Sequence, residues 1–486
     1  MNRSGVTANS FKTLPLAPAL LDNLASLGYV EMTPIQAQSL PLILARRDLI
    51  AQAETGSGKT AAFGLGILHK LNPTLNAVQA LVLCPTRELA DQVAKELRRL
   101  ARATGNVKIL TLCGGVAMGP QINSLSYGAH VVVGTPGRIL DHLERDSLKL
   151  ARLHTLVLDE ADRMTDMGFF EDIARIARAA PAHRQTLLFS ATYPDDIRSA
   201  SAALLHDPAE IRIAPEARDE GGEGASSDRI EQRFYEIAPG QEQRGAAVAR
   251  LLAALRPVST LAFCNTRAHC SELAAALRRQ GYSALALHGE LEQRDRDEIL
   301  VQFANRSCSV LVATDVAARG LDIAALDAVI NADVSKNAET HVHRIGRSGR
   351  GHGKAGLALS LCTPNEKRRI AQIEQALASP LRWHPLPEEN PEALHYAAPM
   401  RTLHIQGGRK NKLRPGDILG ALTGAGGLAK EQIGKIDVYD FSAYVALERD
   451  VADTALARLA AGGIKGKNFR MRLLATPEET LDMQGG

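Results

Sequence analysis

A glycine-rich segment ending in Lys-Thr, residues 53–60, directly follows the apolar run Leu49–Ala51 and precedes a predicted helix at residues 61–71. This order of strand, loop and helix is typical of phosphate-binding loops, because glycine lets backbone amides curl around phosphates without Cβ clashes. Lys59 can reach the β- and γ-phosphates of a nucleotide, and the Thr60 hydroxyl can ligate Mg²⁺. Such loops lie at the carboxyl end of a parallel strand, so the segment strongly constrains the fold. The predicted nucleotide site contains Ala53, Glu54, Thr55, Gly56, Ser57, Gly58, Lys59 and Thr60.

An acidic motif, Asp159-Glu160-Ala161-Asp162, ends the apolar run Leu156–Leu158 further along the chain. We expect Asp159 to hold Mg²⁺ through water and Glu160 to polarise the attacking water. The loop and the acidic motif together predict a site that binds magnesium and a nucleotide and hydrolyses the nucleotide. Ala53 stands where the general loop pattern has glycine.

Short β-type runs alternate with helical stretches from about residue 33 to 213, and the same rhythm resumes after a polar, glycine-rich segment. This alternation predicts an α/β fold with parallel sheets covered by helices on both faces. The predicted divisions are a first lobe at 1–213, a flexible linker at 214–228, a second lobe at 229–380, a Pro-rich linker at 381–399, a small domain at 400–474 and a tail at 475–486.

Length and composition set the remaining limits. A chain of 486 residues is too long for one core, and a net charge of +3 places any nucleic-acid affinity in local patches. The six scattered cysteines read as reduced core thiols. No run approaches the ~18 apolar residues of a membrane span, and the N-terminus has no signal-type apolar stretch. We therefore expect a cytoplasmic protein without membrane contact, and a monomer.

From residue 11 to 375 the motifs, in their order, resemble those of the DEAD-box RNA helicases. Gly28-Tyr29 through Thr33-Pro34-Ile35-Gln36 resembles the Q motif of that family, with Phe11 upstream. The resemblance implies two tandem RecA-like lobes, with Gln36 reading the adenine edge and Phe11 stacking on its face. An amide matches adenine's donor and acceptor together, so the expected nucleotide is ATP.

Other segments of the first lobe resemble the family's path for the RNA backbone. They are Pro85–Ala90, Gly114-Gly115 and Thr135–Arg138. Small residues, hydroxyls and arginines suit phosphates, because they position a strand without reading its sequence. Ser190-Ala191-Thr192 resembles the segment that couples ATP to unwinding, through Ser190 and Thr192, although by itself it reads as a capping pair. The RNA contacts implied in the first lobe are Pro85, Thr86, Arg87, Gly115, Thr135, Pro136 and Arg138.

The second lobe carries the segments 263–267, 313–322 and 343–350 of the same family pattern. By resemblance, Arg347 and Arg350 are arginine fingers for the γ-phosphate, a role that suits a permanently charged fork of donors. Asp322 is expected at the ribose, and Thr314 and Gly320 at the RNA. The implied cycle closes both lobes on ATP and RNA, bends the strand and opens a few base pairs, and hydrolysis reverses the closure.

The segment from 401 to 474 has 13 Lys and Arg against 7 Asp and Glu, so it is more basic than the whole chain. Predicted strands at 402–405 and 437–447, with helices at 417–422, 428–433 and 454–459, indicate an α+β RRM-like domain. Ser442 and Leu447 occupy positions where RNA-stacking aromatics are expected, which leaves Tyr439 or Tyr444 as weaker candidates.

Residues 407–417 resemble the start of the tail domain in DbpA-type bacterial helicases. That resemblance implies targeting to a hairpin of 23S ribosomal RNA and a part in assembly of the large ribosomal subunit. Basic loops grip a hairpin through its shape and phosphates. The candidate contacts are Lys410, Lys412, Arg414, Lys465, Lys467, Arg470 and Arg472.

Three alternatives remain open from the residues. The first is a general RNA helicase of the cold-shock or RNA-degradation type, with a nonspecific RNA anchor as its tail. The second is an ATP-dependent RNA clamp with little unwinding. The third, a DNA translocase, is disfavoured by the Q motif and the acidic motif, so we expect no DNA partner.

Overall fold

In the computed structural model the chain forms two compact units, and nine stretches of the chain are described. One unit contains a first parallel sheet, and the other contains a second parallel sheet together with a small antiparallel sheet. The described residues are 9–53, 56–193, 195–213, 230–318, 326–348, 356–377, 380–388, 397–424 and 427–476.

In the described part of the first lobe, seven parallel strands form one sheet with helices on both faces. The strands are β1 (Leu49–Gln52), β2 (Ala80–Leu83), β3 (Ile109–Leu112), β4 (Val131–Gly134), β5 (Thr155–Asp159), β6 (Gln185–Ser190) and β7 (Ala209–Arg212). The helices are α1 (Pro18–Ser26), α2 (Pro34–Leu44), α3 (Lys59–Lys70), α4 (Arg87–Leu100), α5 (Met118–Ser126), α6 (Pro136–Glu144), α7 (Ala161–Asp166), α8 (Phe170–Ala179) and α9 (Asp195–Ser201).

The strand order β3-β4-β2-β5-β6-β1-β7 divides the carboxyl edge of this sheet into two regions. Strands β5, β6 and β1 are neighbours, and the phosphate-loop and acidic segments follow them. Strands β3, β4 and β2 are also neighbours, and the three segments expected at RNA follow those. Because ligands of parallel α/β sheets bind at this edge, the topology separates a nucleotide region from an RNA region within one lobe.

Local sequence explains these elements well. Strands such as β4, Val-Val-Val-Gly, are uninterrupted apolar runs because helices bury both faces of the sheet. Helix α4 begins where the Thr86 hydroxyl accepts a hydrogen bond from the Leu89 amide (3.3 Å). Glu88 in its first turn and two arginines in its last turn complement the helix dipole.

The second lobe repeats the architecture of the first. Its described strands are β8 (Ile230–Glu236), β9 (Thr260–Cys264), β10 (Ala284–Leu287), β11 (Val310–Thr314), β12 (Ala328–Asn331), β13 (Gly356–Cys362) and β14 (Trp383–His384). Its described helices are α10 (Gln241–Leu255), α11 (Arg267–Arg279), α12 (Gln293–Ala304), α13 (Asp315–Ala318), α14 (Ala338–Ile345) and α15 (Lys367–Leu377). Numbered from one to seven along the chain, the described strands of both sheets have the same order, 3-4-2-5-6-1-7.

The small domain is an antiparallel sheet with two helices on one face. Its described elements are β15 (Met400–Ile405), α16 (Pro415–Thr423), β16 (Ile433–Val438), β17 (Ala443–Glu448), α17 (Ala452–Gly462) and β18 (Met471–Leu473), with strand order β16-β17-β15-β18. This βαββαβ order confirms the predicted RRM-like fold. The helix expected at 428–433 is wrong, because Lys430–Gln432 form one 3-10 turn and Ile433 begins a strand.

The other face of the small sheet packs on helix α12 of the second lobe. Tyr444 clusters with Val301 and Leu474, and the His404 ring stacks on Tyr444 with centroids 4.7 Å apart. In this contact surface, which we call the α12 seam, Thr402 Oγ1 also accepts a hydrogen bond from Asn305 Nδ2 (3.2 Å) and shares one with Ser307 Oγ (2.7 Å). An ion pair of 2.8 Å joins Arg472 to Glu298 there. The two helices therefore cover one face of the small sheet, and helix α12 covers the central strands on the other face.

The sequence predicts reduced cysteines in the core and no membrane-spanning segment. All six cysteines lie within the described residues as buried thiols outside any disulfide, and burial raises the pKa of Cys113 to about 12. They are therefore inert core thiols, as predicted. Among the described residues, no helix is both long enough and apolar enough to cross a bilayer.

Candidate nucleotide site and RNA-facing loops

Backbone conformation and a buried lysine of the first lobe fix the described part of the phosphate loop. Gly56 and Gly58 adopt φ values of 88° and 96°, in the left-handed region that favours glycine. Helix α3 begins at Lys59, so its first backbone amides face the loop. The Lys59 ammonium is buried and donates to the Ala53 carbonyl oxygen at 2.9 Å. The loop thus keeps a cation and helix amides at one place, which suits an anionic phosphate.

The acidic motif lies beside this loop with its carboxylates buried. Asp159 is 3% exposed, and burial raises its pKa to about 7, with Lys59 opposing the rise and Glu160 adding to it. Glu160 has a left-handed backbone (φ 55°). Its Oε2 atom lies 3.3 Å from Arg163 Nε but has no hydrogen-bond partner among the described residues. Buried carboxylates with so little compensation fit a divalent cation with its bound waters.

The last residue of the acidic motif connects it to the Ser190–Thr192 segment. One Asp162 oxygen accepts hydrogen bonds from the amides of Ala191 (3.2 Å) and Thr192 (3.0 Å) and from the Thr192 hydroxyl (3.2 Å). The Ser190 hydroxyl in return accepts from the Asp162 amide (3.1 Å). Sequence reasoning gave Asp162 no role of its own, yet its carboxylate is the physical link between the two motifs.

The Q-motif glutamine is buried against the phosphate loop. Gln36 Nε2 donates to the Gly58 carbonyl oxygen (3.1 Å), and Gln36 Oε1 accepts from the Thr33 amide (3.0 Å). A Cβ at Gly58 would lie 2.5 Å from Gln36 Nε2, so this approach requires glycine. Phe11 is 3% exposed and meets Tyr29 edge to face in the core. The adenine roles of Gln36 and Phe11 remain predictions.

The segments expected at RNA follow the neighbouring strands β2, β3 and β4. Pro85, Thr86 and Arg87 follow β2, Gly115 follows β3, and Thr135 to Arg138 follow β4. Thr86 caps helix α4. Three loops at one sheet edge form a continuous row, which suits a phosphate backbone.

Arg138 is held by a buried hub centred on Gln121. Gln121 Oε1 accepts hydrogen bonds from Arg138 Nη1 (3.0 Å) and from His142 Nε2 (2.9 Å), while Gln121 Nε2 donates to the Cys113 carbonyl oxygen (3.0 Å). Arg138 Nη1 also donates to the Val116 carbonyl oxygen (3.1 Å). The hub therefore fixes the arginine and the glycine pair 114–115 together. Gln121 belongs to none of the family motifs in the first lobe, so sequence reasoning missed its role.

In the second lobe, Arg344 joins the three family segments. This arginine is 1% exposed and makes a two-point ion pair with Asp315 at 2.6 and 2.8 Å. It also donates to Asn265 Oδ1 (2.8 Å) and to the Asp333 carbonyl oxygen (2.7 Å). Sequence reasoning emphasised its neighbour Arg347, which is buried. Arg344 is thus the residue that assembles these segments.

The described basic residues of the small domain differ in their surroundings. Lys410, Lys412 and Arg414 are exposed in the loop before α16. Lys465 pairs with Asp417 at 3.0 Å. Arg472 belongs to the α12 seam and not to these loops. Lys467 and Arg470 are exposed beside Lys465. Five predicted site residues lie outside the described residues, and they are Glu54, Thr55, Gly320, Asp322 and Arg350.

Three parts of the chain match known protein families. Residues 33–200 match the DEAD/DEAH box helicase family, residues 244–352 match the helicase conserved C-terminal domain, and residues 402–473 match the DbpA RNA binding domain. Among curated proteins, ATP-dependent RNA helicase DbpA of Escherichia coli K12 is 52% identical over 466 residues, which covers 96% of this chain and 99% of that protein. DEAD-box ATP-dependent RNA helicase CshA of Geobacillus kaustophilus is 43% identical over 75% of this chain and 76% of its own length.

Solved structures give a similar result for the two lobes. Saccharomyces cerevisiae Dbp5 bound to RNA and ADP BeF3 superimposes with a TM-score of 0.70 at 30% identity, covering 78% of this chain and 96% of that chain. Mss116p bound to ssRNA and AMP-PNP gives a TM-score of 0.69 at 26% identity, over 81% and 82% of the two chains.

Proposed function

Because the chain belongs to the DbpA-type DEAD-box ATP-dependent RNA helicases, we propose that it couples ATP hydrolysis to the unwinding of short RNA duplexes next to a hairpin of 23S ribosomal RNA. In this proposal the small domain directs the enzyme to that hairpin, and the enzyme acts during assembly of the large ribosomal subunit. The observation that supports this most is the exposed cationic loop, Lys410 to Arg414, within a domain of the DbpA RNA-binding family. Such a loop suits a folded RNA, whose closely spaced phosphates attract several cations at once.

The same proposal assigns the nucleotide site of the first lobe. Lys59 binds the β- and γ-phosphates, while Thr60 and Asp159 hold Mg²⁺, Asp159 through water. Bound Mg²⁺ neutralises charge on the phosphates and balances the buried carboxylates. Glu160 orients the attacking water and takes its proton. Asp162 carries the state of this site to Ser190 and Thr192, because all three share one hydrogen-bond cluster.

Completion of the site is proposed to depend on the second lobe. Arg347 and Arg350 supply positive charge to the γ-phosphate when ATP and RNA are both bound, and Asp322 holds the ribose. Thr314 and Gly320 contact the RNA. Closure on a bent single strand disfavours a duplex, so base pairs open locally and phosphate release resets the enzyme.

The test uses the full chain, a chain ending at residue 398, and three nucleic acids. ATPase rate and strand separation are measured with a ribosomal RNA carrying the hairpin, with poly(A) and with DNA. The proposal expects strong stimulation by the hairpin RNA, weak stimulation by poly(A) and none by DNA. Removal of residues from 399 onward should erase the preference and keep basal hydrolysis.

Two other functions predict different results in that test. A general RNA helicase is favoured by the match to CshA, which covers 75% of this chain, and it would respond equally to all RNAs. An RNA clamp would hydrolyse ATP with little strand separation. Either result would overturn the proposal of a ribosomal target or of unwinding, respectively.

A further inference from the structure

In the described sheet of the small domain, the central aromatic rings are not open to RNA, although RRM-like domains commonly stack bases on that face. Along β15 and β17 the side chains alternate between two environments. Leu403 and Val445 face the core under the two helices, whereas His404 and Tyr444 face helix α12. Both of the latter are less than a tenth exposed. Bases that need an aromatic partner must therefore find it elsewhere on this domain.

Exposed aromatic side chains occur at the tip of the β16–β17 hairpin, residues 439–442. Phe441 is 72% exposed and Tyr439 is 48% exposed. The tip is well ordered by its own contacts, because the Tyr439 amide donates to the Ser442 carbonyl oxygen (2.8 Å) and the Tyr439 ring meets Tyr444 edge to face at 5.8 Å. Phe441 and Tyr439 together therefore place a small exposed aromatic patch on this turn.

The hairpin tip is bonded directly to the cationic loop. The amides of Arg409 and Lys410 donate to the carbonyl oxygens of Tyr439 (2.8 Å) and Asp440 (3.0 Å). A Cβ at Gly408 would lie 2.2 Å from the Tyr439 oxygen, so only glycine allows this contact. The backbones of the aromatic tip and of the cationic loop are therefore joined directly to each other.

We propose that the hairpin tip and the cationic loop together form a binding site for unpaired nucleotides of RNA, with Phe441 stacking on a base and Lys410 and Lys412 holding its phosphates. Stacking on aromatic faces combined with a basic groove is the general way in which proteins bind single-stranded RNA. Exposed cations on the neighbouring loop favour RNA over an apolar protein surface as the occupant. This site deepens the proposed function and rests on it, since it names unpaired nucleotides beside the hairpin as the feature recognised.

Stacking can be observed directly with tryptophan fluorescence. The chain has one tryptophan, Trp383, so the double variant Trp383→Phe with Phe441→Trp carries its sole indole at the hairpin tip. Hairpin RNA with a single-stranded extension should quench this indole, and a blunt duplex of the same length should not. Equal quenching by both RNAs, or none by either, would overturn the proposal.

Affinity measurements give an independent test. Phe441→Ala should weaken binding of the extended hairpin RNA roughly 5- to 150-fold, the range of one base stack, whereas Phe441→Tyr should bind normally. The ATPase rate at saturating RNA should not change, because the substitution lies outside the nucleotide site. Tyr127→Ala is the matched control, since Tyr127 in the first lobe is also 72% exposed, and it should leave affinity unchanged.

The chain ending at residue 398 separates the two proposals. If that truncation abolishes the preference for hairpin RNA but Phe441→Ala leaves affinity unchanged, the stacking site is wrong and the ribosomal target stands. If the truncation has no effect either, the proposed target itself fails.

Discussion

The two lobes share one strand order, but the charged residues after their first and fifth strands have different partners. In the first lobe, helix α3 after the first strand begins with Lys59, and the fifth strand ends in Asp159. In the second lobe, helix α10 after the first strand carries Arg244, and Asp333 follows the fifth strand. Arg244 is paired with Asp333 (3.5 Å) and Glu366 (2.6 Å).

The electrostatics of the two aspartates differ accordingly. Burial raises the pKa of Asp159 to about 7. The pKa of Asp333 is lowered instead, because hydrogen bonds from His269 and the Asn265 amide, together with the charge of Arg244, outweigh its burial. Burial thus dominates at this position of the first lobe, whereas in the second lobe the protein's own side chains compensate the charge of the aspartate. A shared fold therefore does not imply a shared ligand.

The largest effect is expected from the residue that the second lobe is proposed to contribute to hydrolysis. Arg347→Ala should lower the RNA-stimulated ATPase rate about 10³- to 10⁵-fold, as for other arginine fingers, and should leave ATP binding intact. Steady-state hydrolysis and nucleotide titration measure the two quantities. An ATPase rate within tenfold of the wild type would show that the second lobe acts only as a scaffold.

Loss of the general base in the first lobe comes next. Glu160→Gln should reduce turnover about 10²- to 10⁴-fold while ATP and RNA still bind, because the amide keeps the shape but cannot take a proton. Asp333→Asn, which removes the carboxylate after the fifth strand of the second lobe, should retain much more activity at a temperature where it is folded. Normal turnover in Glu160→Gln would remove Glu160 from the catalytic role.

The ion pairs of Arg244 in the second lobe should increase the free energy of unfolding. Arg244→Leu leaves the mostly buried Asp333 and Glu366 without this cation, and we expect a loss of up to about 3–5 kcal/mol in the free energy of unfolding. Arg175→Leu is the matched control, because Arg175 also lies 2.6 Å from a glutamate, Glu144, but both side chains are about half exposed. The control should change stability by less than about 1 kcal/mol in denaturant titrations.

The two aspartates should give opposite pH dependence of stability without nucleotide or Mg²⁺. The folded pKa of Asp159, about 7, exceeds its ordinary value of 3.8, so the native state binds an extra proton and stability falls as pH rises from about 4 to 7. Asp159→Asn should remove that fall and gain on the order of 2–4 kcal/mol at pH 8. Asp333→Asn should instead lose stability at pH 7, and its deficit should shrink as the pH falls through the lowered pKa of Asp333. Parallel pH profiles for the two variants would refute the contrast.

A smaller effect is expected in the RNA region of the first lobe. Gln121→Leu leaves Arg138 and His142 without their shared acceptor, and a loss of about 1–2 kcal/mol corresponds to an RNA half-saturation concentration roughly 5- to 30-fold higher. The KM for ATP should not change. Asn123→Leu, on the exposed side of the same helix, makes a similar chemical change and should have no effect.

Sequence predicted the sheets closely because their strands are buried on both faces. The apolar runs Leu49–Ala51 and Leu156–Leu158 lie within β1 and β5, and the helix predicted at 61–71 corresponds to α3, since apolar runs mark such elements directly. The identical strand order was not readable from the sequence, because topology depends on contacts between distant segments. The domain boundaries and the roles of the site residues stay predictions.

Residues whose role depends on distant partners were missed or misjudged. Tyr444 reads as a stacking residue in the sequence, but helix α12, far away in the chain, covers it. Gln121 and Arg344 act through buried hydrogen bonds to segments that no local pattern connects to them. Motifs therefore do not show which residues hold the predicted site residues in place.

The contrast between the lobes is tested most directly by counting bound nucleotides. Isothermal titration of the full chain with Mg²⁺ and a non-hydrolysable ATP analogue should give one nucleotide per chain. Lys59→Ala should abolish that binding, and Arg244→Lys should preserve it. Two nucleotides per chain, or unchanged binding in Lys59→Ala, would contradict the account that only the first lobe leaves this position of the fold open to ATP.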